Sequence, residues 1–401
     1  MGGKEVEKHI GVLDGIRAVS IVFVVWYHFW QQTWLTPYID FDSSVTKYLG
    51  ITGIELSDYV RYGFTFVDML ILLSAFCNFY PYARSMILGE KWPDTKEFYF
   101  KRAVRIFPSY LLSVFVILFV FVLPQKEYDN ISFMWKDIFT NLTFTGGLWT
   151  DTFKMTKLNA ALWTVQMEVL YYILIPWIAR LFRRFPGVTY SVMVLLGIVS
   201  VNYIIYRHSG AEDLYVNHMI TFMGVYANGI LLSILFVIWK KSGAENHYTR
   251  VAATVLSICC IIWFRRILWE YGQAENLSQI QLKLRLPQSF LFSGFILFTA
   301  CSFESWKKIF SNRIMRFICS ISYNLYIWHQ FIAVKLKAYK IPFWEGEMPP
   351  NMTGDTVWQW KYQVIVLVVS IATAVVLTYG FEIPVRKLLN RQNARRGRAE
   401  R

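Results

Sequence analysis

The sequence predicts an all-α, polytopic transmembrane helix bundle of about ten spans, and three observations support this prediction. Of the 401 residues, 55% are hydrophobic and only 17% are charged, whereas a soluble domain usually carries about a quarter charged residues. The apolar residues form repeated runs that are long enough, at about 20 residues, to cross a bilayer as helices. The Lys and Arg residues lie mainly between these runs, as membrane topology requires.

Ten apolar runs are interpreted as spans, and an even number places both termini on one side of the membrane. Most of the 41 Lys and Arg residues lie in the N-terminal segment, the even-numbered loops and the C-terminal tail. Because cytoplasmic loops carry the excess of Lys and Arg, both termini are predicted to be cytoplasmic. The exception is a cluster on the opposite side, formed by Arg265, Arg266, Lys283 and Arg285. The predicted spans are 12–34, 59–80, 106–123, 160–180, 188–206, 216–239, 250–269, 286–303, 317–336 and 362–381.

The composition of three other stretches predicts their position relative to the membrane or their role. Segment 133–149 is too polar and too short to span alone, so it is expected to be re-entrant or to lie along the interface. The N-terminal MGGKEVEKH is followed by no small-residue cleavage site, so no cleavable signal peptide is expected. Residues 1–385 are predicted to form one transmembrane domain, and 386–401 a basic cytoplasmic tail near anionic lipid. Any chemistry is therefore expected inside the bundle.

Charge and cysteine content narrow the range of partners. The formal net charge of +14 is explained by loop residues that set topology, so nucleic-acid binding is not expected. The cysteines fall in apolar segments without metal-ligand spacing, so we expect neither a disulfide framework nor a metal cofactor. Packing as small hydrophobic residues is the expected role for all five, namely Cys77, Cys259, Cys260, Cys301 and Cys319.

The first predicted span carries two polar side chains within the bilayer, where burying a charge is energetically unfavourable. Arg17 and His28 are eleven residues apart, close to a whole number of helical turns, so both point from one face. The rise between them is about 16 Å, roughly half the thickness of the hydrocarbon core. Titratable side chains inside a bilayer usually face the bundle interior or a wet cavity. The pair therefore predicts a functional site that is reached through the membrane.

A basic pair at the start of the third predicted span suits phosphate. Arg102 and Arg105 are three residues apart and share a helix face, and guanidinium groups make bidentate, permanently charged contacts. The alternative is a topology-setting pair without a ligand. Asp14 and Arg17 lie in the same layer, at the start of the first span. Pro108, inside the apolar run, predicts a helix that is either kinked or starts late.

Three titratable side chains are predicted to lie deeper, at similar depth. His28 is six residues from the outer end of the first span, and Glu168 is eight residues from the outer end of the fourth. His329 lies about twelve residues from the cytoplasmic end of the ninth span. A carboxylate and two imidazoles at one depth favour an acid–base site. For His329, a structural hydrogen bond between helices is the alternative.

The order of these motifs resembles the membrane acyltransferase 3 family, which moves acyl groups, usually acetyl, onto cell-envelope or exported molecules. The resemblance covers nearly the whole chain. The sequence departs from the family pattern at Ala75, where glycine is expected, and at Val169, where a second acidic residue is common after Glu168. The matching segments are LDGIRAVSIVFVVWYH with Arg17 and His28, FVDMLILLSAFCNF with Ser74, FKRAVRIFPSYLL, ALWTVQMEVLYYILIP with Trp163, Glu168, Tyr172 and Pro176, ISYNLYIWHQF with His329, and FEIPVRK.

The resemblance implies an acyl-CoA donor, by default acetyl-CoA, and a hydroxyl acceptor on a cell-envelope glycan or exported molecule. Arg102 and Arg105, with Arg17, would hold the CoA phosphates. His28 would act as general base on the hydroxyl, supported by Glu168, or as an acyl-carrying nucleophile. The predicted catalytic group is His28, Glu168, Arg17 and Asp14. Residues expected to support the site or bind the acceptor are His329, Trp163, Tyr323, Ser74 and Tyr172.

A proton-coupled exporter of a polysaccharide or small molecule is the alternative function, because intramembrane Arg, His and Glu also mark transporters. The sequence identifies neither the acceptor, nor the acyl chain length, nor the oligomeric state. Outer segments 31–58, 124–159 and 337–361 are predicted to shape acceptor access. The resemblance implies a multi-pass protein in a bacterial cytoplasmic (inner) membrane.

Overall fold

The structure, a computed structural model, describes residues 10–35, 38–40 and 53–399. Most of the predicted acceptor segment 31–58 and the N-terminal MGGKEVEKH therefore lie outside the described residues. One pair of short antiparallel strands, β1 (Tyr38–Asp40) and β2 (Gly53–Glu55), is present, and everything else with regular structure is helical. The α-helices are α1 Gly11–Thr33, α2 Ser57–Arg61, α3 Phe66–Leu88, α4 Thr95–Val116, α5 Ile131–Leu142, α6 Thr150–Met155, α7 Trp163–Arg184, α8 Pro186–Arg207, α9 Met223–Ser242, α10 His247–Gly272, α11 Leu277–Cys301, α12 Glu304–Phe310, α13 Arg313–Ala338, α14 Pro350–Thr353, α15 Thr356–Leu377 and α16 Ile383–Ala399.

Nine helical stretches in the described part of the chain are long and apolar enough to cross a membrane, which confirms a polytopic helix bundle. The remaining predicted span, 317–336, lies in α13, a helix of 26 residues. This helix is long enough to span, but Asn324, His329 and Gln330 interrupt its apolar run. Asn324 and His329 are fully buried. These two polar side chains of α13 therefore face the bundle interior.

Packing among five helices creates the space for a site. The first helix packs against α3 and α13, and α7 packs against α3 and α4. On the far side of α3, α9 approaches closely because Gly229 has no side chain: a Cβ there would lie 2.5 Å from the Leu72 carbonyl oxygen. This close contact holds α3 against α9. The helices α1 and α7 pack against α3 as well.

Two helices begin earlier than their apolar runs. The fourth helix starts at Thr95, where the Asp94 carboxylate accepts a hydrogen bond from the Glu97 backbone N–H at 2.8 Å. Pro108 lies inside this helix, so the late-start alternative is wrong. Similarly, α11 begins at Leu277, so Arg285 is a helical residue and only 1% exposed. Apolar runs mark the lipid-crossing part of a helix, whereas capped polar turns extend it beyond that part.

The first part of segment 133–149 lies in the amphipathic helix α5, Ile131–Leu142, which at 12 residues is too short to span. Its exposed face carries Ile131, Trp135 and Phe139, which are 73%, 63% and 65% exposed. Asp137 and Asn141 on the opposite face are buried. An outward apolar face with an aromatic residue is typical of a helix lying along the membrane interface. The structure thus favours the interfacial alternative.

The C-terminal segment is helical to Ala399. A π-helical turn, Thr378–Glu382, joins α15 to α16 without a break. The boundary predicted at residue 385 therefore falls inside a helix, and the division into domain and tail stays a prediction.

Candidate functional site

A polar cavity opens between α1, α3, α4, α7 and α13. We call it the arginine cavity, and it encloses about 820 Å³ of space, part of it open to solvent. All five helices contribute polar side chains to its wall, so the bundle places residues from distant parts of the chain around one space. The polar lining residues are Arg17, Ser74, Asn78, Arg102, Arg105, Thr164, Glu168, Tyr172, Ser322, Tyr323 and Tyr326.

The cavity has an excess of positive charge. Its lining contains three guanidinium groups and one carboxylate, Glu168. Arg102 Cζ lies 5.6 Å from the centre of the Tyr172 ring and 5.5 Å from that of Phe98. Across the described ranges, no acidic side chain comes within ion-pair distance of Arg102 or Arg105. The predicted basic pair is therefore available to an anionic ligand such as a phosphate.

Glu168 belongs to this cavity rather than to the histidines. The Tyr172 hydroxyl donates a hydrogen bond to Glu168 Oε2 at 2.9 Å, and Arg17 lines the same space. Within the described residues no hydrogen bond joins Glu168 to His28. The two side chains lie on α1 and α7, and both helices pack on α3. The predicted similar depth of Glu168 and His28 therefore does not bring the two side chains into contact.

Two cysteine thiols contact charged side chains near the start of α1. Arg17 Nη2 lies 4.0 Å from Cys77 Sγ, and Cys319 Sγ donates to Asp14 Oδ1 at 3.7 Å. Cys77 lines the cavity together with Arg17. Asp14 thus lies one turn below Arg17, against α13, and two of the cysteines predicted to pack as small hydrophobic residues contact charged groups.

The two histidines face each other deeper in the bundle. The ring centroids of His28 and His329 are 5.0 Å apart. His329 is fully buried, whereas His28 is partly exposed. The structure therefore joins the histidine predicted as base to the histidine predicted as support, and we call them the histidine pair.

Hydrogen bonds determine which nitrogen of His329 can act as a base. Its Nδ1 lies 2.7 Å from the Tyr326 carbonyl oxygen and 3.1 Å from that of Leu325. Carbonyl oxygens only accept hydrogen bonds, so Nδ1 carries the proton of the neutral ring. The buried Nε2 atom has no hydrogen-bond partner in the described chain. His329 therefore has a free acceptor nitrogen, Nε2, inside the bundle.

His28 is held by its own helix. Its Nδ1 lies 2.9 Å from Gln31 Oε1, and Gln31 Nε2 donates to the Tyr27 hydroxyl at 2.9 Å. With the amide in this orientation, His28 Nδ1 is the donor and Nε2 the free acceptor. Gln31 is exposed, so this chain of hydrogen bonds leads from the histidine pair to the end of the bundle opposite Arg102.

Tyr326 separates the cavity from the histidine pair. It lines the cavity, and its ring centroid is 5.6 Å from that of His329. Among the other predicted site residues, Ser74 accepts a hydrogen bond from Asn78 at 3.1 Å and the Tyr323 hydroxyl donates to the Ile106 carbonyl at 2.9 Å. Trp163 instead packs against the rings of Phe153 and Phe222, at 6.2 and 6.1 Å.

Sequence reasoning missed the buried ion pair of Arg285 and Asp68. Arg285 and Asp68 are each 1% exposed, and Arg285 Nε lies 3.5 Å from Asp68 Oδ2. Arg285 Nη1 donates to the Val216 carbonyl and to Thr221 Oγ1, and its Cζ lies 3.7 Å from the centre of the Phe222 ring. Asp68 within the apolar run FVDMLILL was the sequence signal for this pair. These contacts are those of a structural anchor.

The fold and the site define a multi-pass membrane protein with a basic cavity and an intramembrane pair of imidazoles. The particular family follows from the sequence: a family model described as an acyltransferase domain matches residues 10–379, and the chain belongs to this acyltransferase 3 family. The resemblance predicted from the motifs is thereby confirmed. No solved structure matches the chain.

Curated relatives carry related names. The chain is 24% identical over 359 residues to the peptidoglycan O-acetyltransferase OatA of Listeria monocytogenes, covering 80% of this chain and 49% of the relative. It is 22% identical to putative O-acetyltransferases of Staphylococcus aureus strains COL and MSSA476, covering 85% and 84% of this chain and 53% and 52% of those proteins. The chain therefore spans about half the length of the curated relatives it matches.

Proposed function

We propose that this protein is an O-acyltransferase that moves an acyl group, by default acetyl, from acyl-CoA to a hydroxyl group. The observation that carries this proposal is the arrangement of two unlike sites in one bundle. A cavity with three arginines and one carboxylate suits a polyphosphate donor. Beyond it, two imidazoles 5.0 Å apart supply a base where water is scarce.

The donor would enter from the basic end of the bundle, where α1 and α4 begin. Arg102, Arg105 and Arg17 would hold the CoA phosphates, and the pantetheine arm would extend along the cavity toward Tyr326. The positive-inside pattern supports a cytoplasmic position for this end. Acyl-CoA is cytoplasmic as well, so donor and binding site would share a compartment.

The transfer step would take place at the histidine pair. His28 Nε2 would remove the proton of the acceptor hydroxyl while the oxygen attacks the thioester carbonyl. The new C–O bond forms, the C–S bond breaks, and the proton passes to the CoA thiolate. His329 would keep His28 in position through the packing of the two rings, and its free Nε2 atom would accept a hydrogen bond once His28 Nε2 has taken up the proton. An acyl group carried on His28 is the alternative route, in which the same bonds are exchanged in two steps.

The role of Glu168 changes in this proposal. Because it lies with Tyr172 and Arg17, it would balance the charge of the cavity and leave the positioning of His28 to His329 and Gln31. For the acceptor, the name of the Listeria relative supports a cell-envelope glycan. The partial exposure of His28 and the exposure of Gln31 beside it support access for that acceptor from the end opposite the donor.

The test is CoA release from acetyl-CoA by the purified protein in liposomes, with crude cell-envelope extract as acceptor. We expect release that depends on both the extract and the protein, and an added mass of one acetyl group on a component of the extract. A protein that neither binds nor consumes acetyl-CoA, but moves a glycan in response to a proton gradient, would contradict the proposal and identify an exporter.

A further inference from the structure

A second groove lies at the basic end, beside the arginine cavity. Helix α3 ends at Leu88, and the chain turns at Gly89, with φ at +74°, into the loop that leads to α4. Trp92 in this loop packs edge-on against Tyr82, with ring centroids 5.1 Å apart. Arg183, near the end of α7, places its Cζ 5.0 Å from the centre of the Trp92 ring. Both Trp92 and Arg183 line the groove.

Aromatic rings connect this groove to the arginine cavity. Phe98, in the first turn of α4, lies 6.1 Å from the Tyr82 ring. The same Phe98 ring lies 5.5 Å from Arg102 Cζ. A continuous row of guanidinium groups and rings thus runs from Arg183 through Trp92, Tyr82 and Phe98 to Arg102. Tyr82 and Phe98 in this row are buried, so they form packed protein between the groove and the cavity, which lie only a few ring widths apart.

The charge of the groove is not neutralised at Arg183. This side chain is exposed, and no acidic group in the described ranges comes within ion-pair distance of it. The acidic residue of the groove, Glu90, is already paired with Arg84. The topology rule explains an arginine at the end of α7, but it does not explain a tryptophan stacked beneath that arginine. An aromatic face next to a free guanidinium group is instead typical of a site for a base and a phosphate.

We propose that Trp92 and Arg183 bind the 3′-phosphoadenosine half of CoA, with adenine on Trp92 and the 3′-phosphate on Arg183. The proposal rests on the proposed function, in which the thioester and pantetheine arm occupy the arginine cavity. The nucleotide is at the opposite end of the CoA molecule, so it has to lie outside the cavity mouth. Arg102 and Arg105, which line the cavity, hold the diphosphate that joins the nucleotide to the pantetheine arm.

The test compares three acetyl donors that differ only in the nucleotide: acetyl-CoA, its 3′-dephospho form and S-acetylpantetheine. Initial rates are measured with envelope extract in phosphatidylcholine nanodiscs, for wild type, Trp92→Ala and Arg183→Ala. Each substitution should reduce the preference for acetyl-CoA over S-acetylpantetheine about tenfold. Rates with S-acetylpantetheine should not change. Arg183→Ala alone should abolish the preference for acetyl-CoA over its dephospho form.

Two matched variants control for general effects of charge and packing. Arg184→Ala removes the neighbouring arginine, whose Cζ lies over the Phe185 ring at 5.2 Å instead. Trp177→Ala removes a tryptophan that is 61% exposed on the same helix. Both should retain the wild-type preferences.

Three results would overturn the proposal in different ways. Unchanged donor preferences in Trp92→Ala and Arg183→Ala would place the nucleotide elsewhere. If Arg183→Ala changes the donor preference only after phosphatidylglycerol is added, this side chain binds lipid headgroups instead. A wild-type protein that uses none of the three donors would instead contradict the proposed acyltransfer itself.

Discussion

The arginine cavity and the Arg285–Asp68 pair both place guanidinium groups inside the bundle, yet their surroundings differ. Arg285 is fully buried and contacts a carboxylate, a backbone carbonyl, a hydroxyl and an aromatic face. Arg102 and Arg105 are partly exposed to a cavity that holds three guanidinium groups and one carboxylate. A guanidinium group that is enclosed by protein and paired with a carboxylate holds helices together, whereas one beside open space without an acidic partner is available to a ligand. Burial alone does not identify a functional arginine.

The largest expected effect concerns the reaction. His28→Ala should lower acyl transfer by about 10²- to 10⁴-fold, because it removes the base that faces His329. Transfer is measured as acceptor-dependent CoA release in liposomes. His208→Ala, which replaces an imidazole that packs against Tyr215 at 4.2 Å, is the control and should retain wild-type activity. Near wild-type activity in His28→Ala would place the base elsewhere.

The next effect concerns stability and tests whether the Arg285–Asp68 pair anchors the helices. Arg285→Met leaves Asp68 as an uncompensated buried charge, so it should lower the free energy of unfolding by about 3–5 kcal/mol. Thermal unfolding in detergent reports this loss. The double variant Arg285→Met with Asp68→Leu should recover most of it, because no charge is then left unpaired. Arg266→Met, which breaks an exposed pair with Glu270, should change little. An unaltered melting temperature in Arg285→Met would contradict an anchoring role.

The cavity arginines should show the opposite pattern. Replacing Arg102 and Arg105 together by Ala should weaken acetyl-CoA binding by about 10²- to 10⁴-fold, since each substitution removes a charge-assisted contact worth about 1.5–3 kcal/mol. The melting temperature should stay close to that of wild type, because neither side chain has an ion-pair partner in the described structure. Equilibrium binding of labelled acetyl-CoA provides the measurement. The wild-type affinity should also fall as ionic strength rises.

The smallest effect is a pH dependence outside the membrane. The hydrogen bond from Lys136 holds the pKa of Asp151 below its usual value of 3.8. A lowered carboxyl pKa stabilises the folded state above the usual value, and this stabilisation is lost as pH falls through the lowered pKa. Because both side chains are well exposed, the loss should stay below about 1 kcal/mol. Limited proteolysis of the α5–α6 region between pH 5 and pH 2 should show it, and Asp151→Asn should remove the dependence.

Several features of the fold were predictable because apolar runs report directly on span position. All ten predicted spans fall on helices, including α13, whose polar residues lower its apolarity. Helix starts were less predictable, since capped polar turns such as that at Asp94 extend a helix beyond its apolar run. Arg285 was assigned to a loop for this reason.

The sequence grouped His28, Glu168 and His329 in one acid–base site, whereas the structure brings only the two histidines together. The periodicity of a single helix gives the depth and face of a side chain, but not which neighbouring helix that face meets. His28 meets His329 because α1 packs against α13, and Glu168 meets Tyr172 within α7. The contact of Glu168 with Tyr172 follows from their i, i+4 spacing, whereas the contact of His28 with His329 depends on the packing of helices distant in the sequence. The roles of the site residues stay predictions until they are tested by substitution.

The most direct test measures acetyl-CoA affinity and acyl transfer on the same preparations of two variants, His28→Ala and the Arg102→Ala, Arg105→Ala pair. If one site binds the donor and the other transfers the acyl group, His28→Ala should bind acetyl-CoA with wild-type affinity and transfer the acyl group about 10²- to 10⁴-fold more slowly. The double arginine variant should bind weakly, yet recover transfer at high acetyl-CoA concentration. Loss of binding in the histidine variant, or wild-type affinity in the arginine variant, would contradict the division between the two sites.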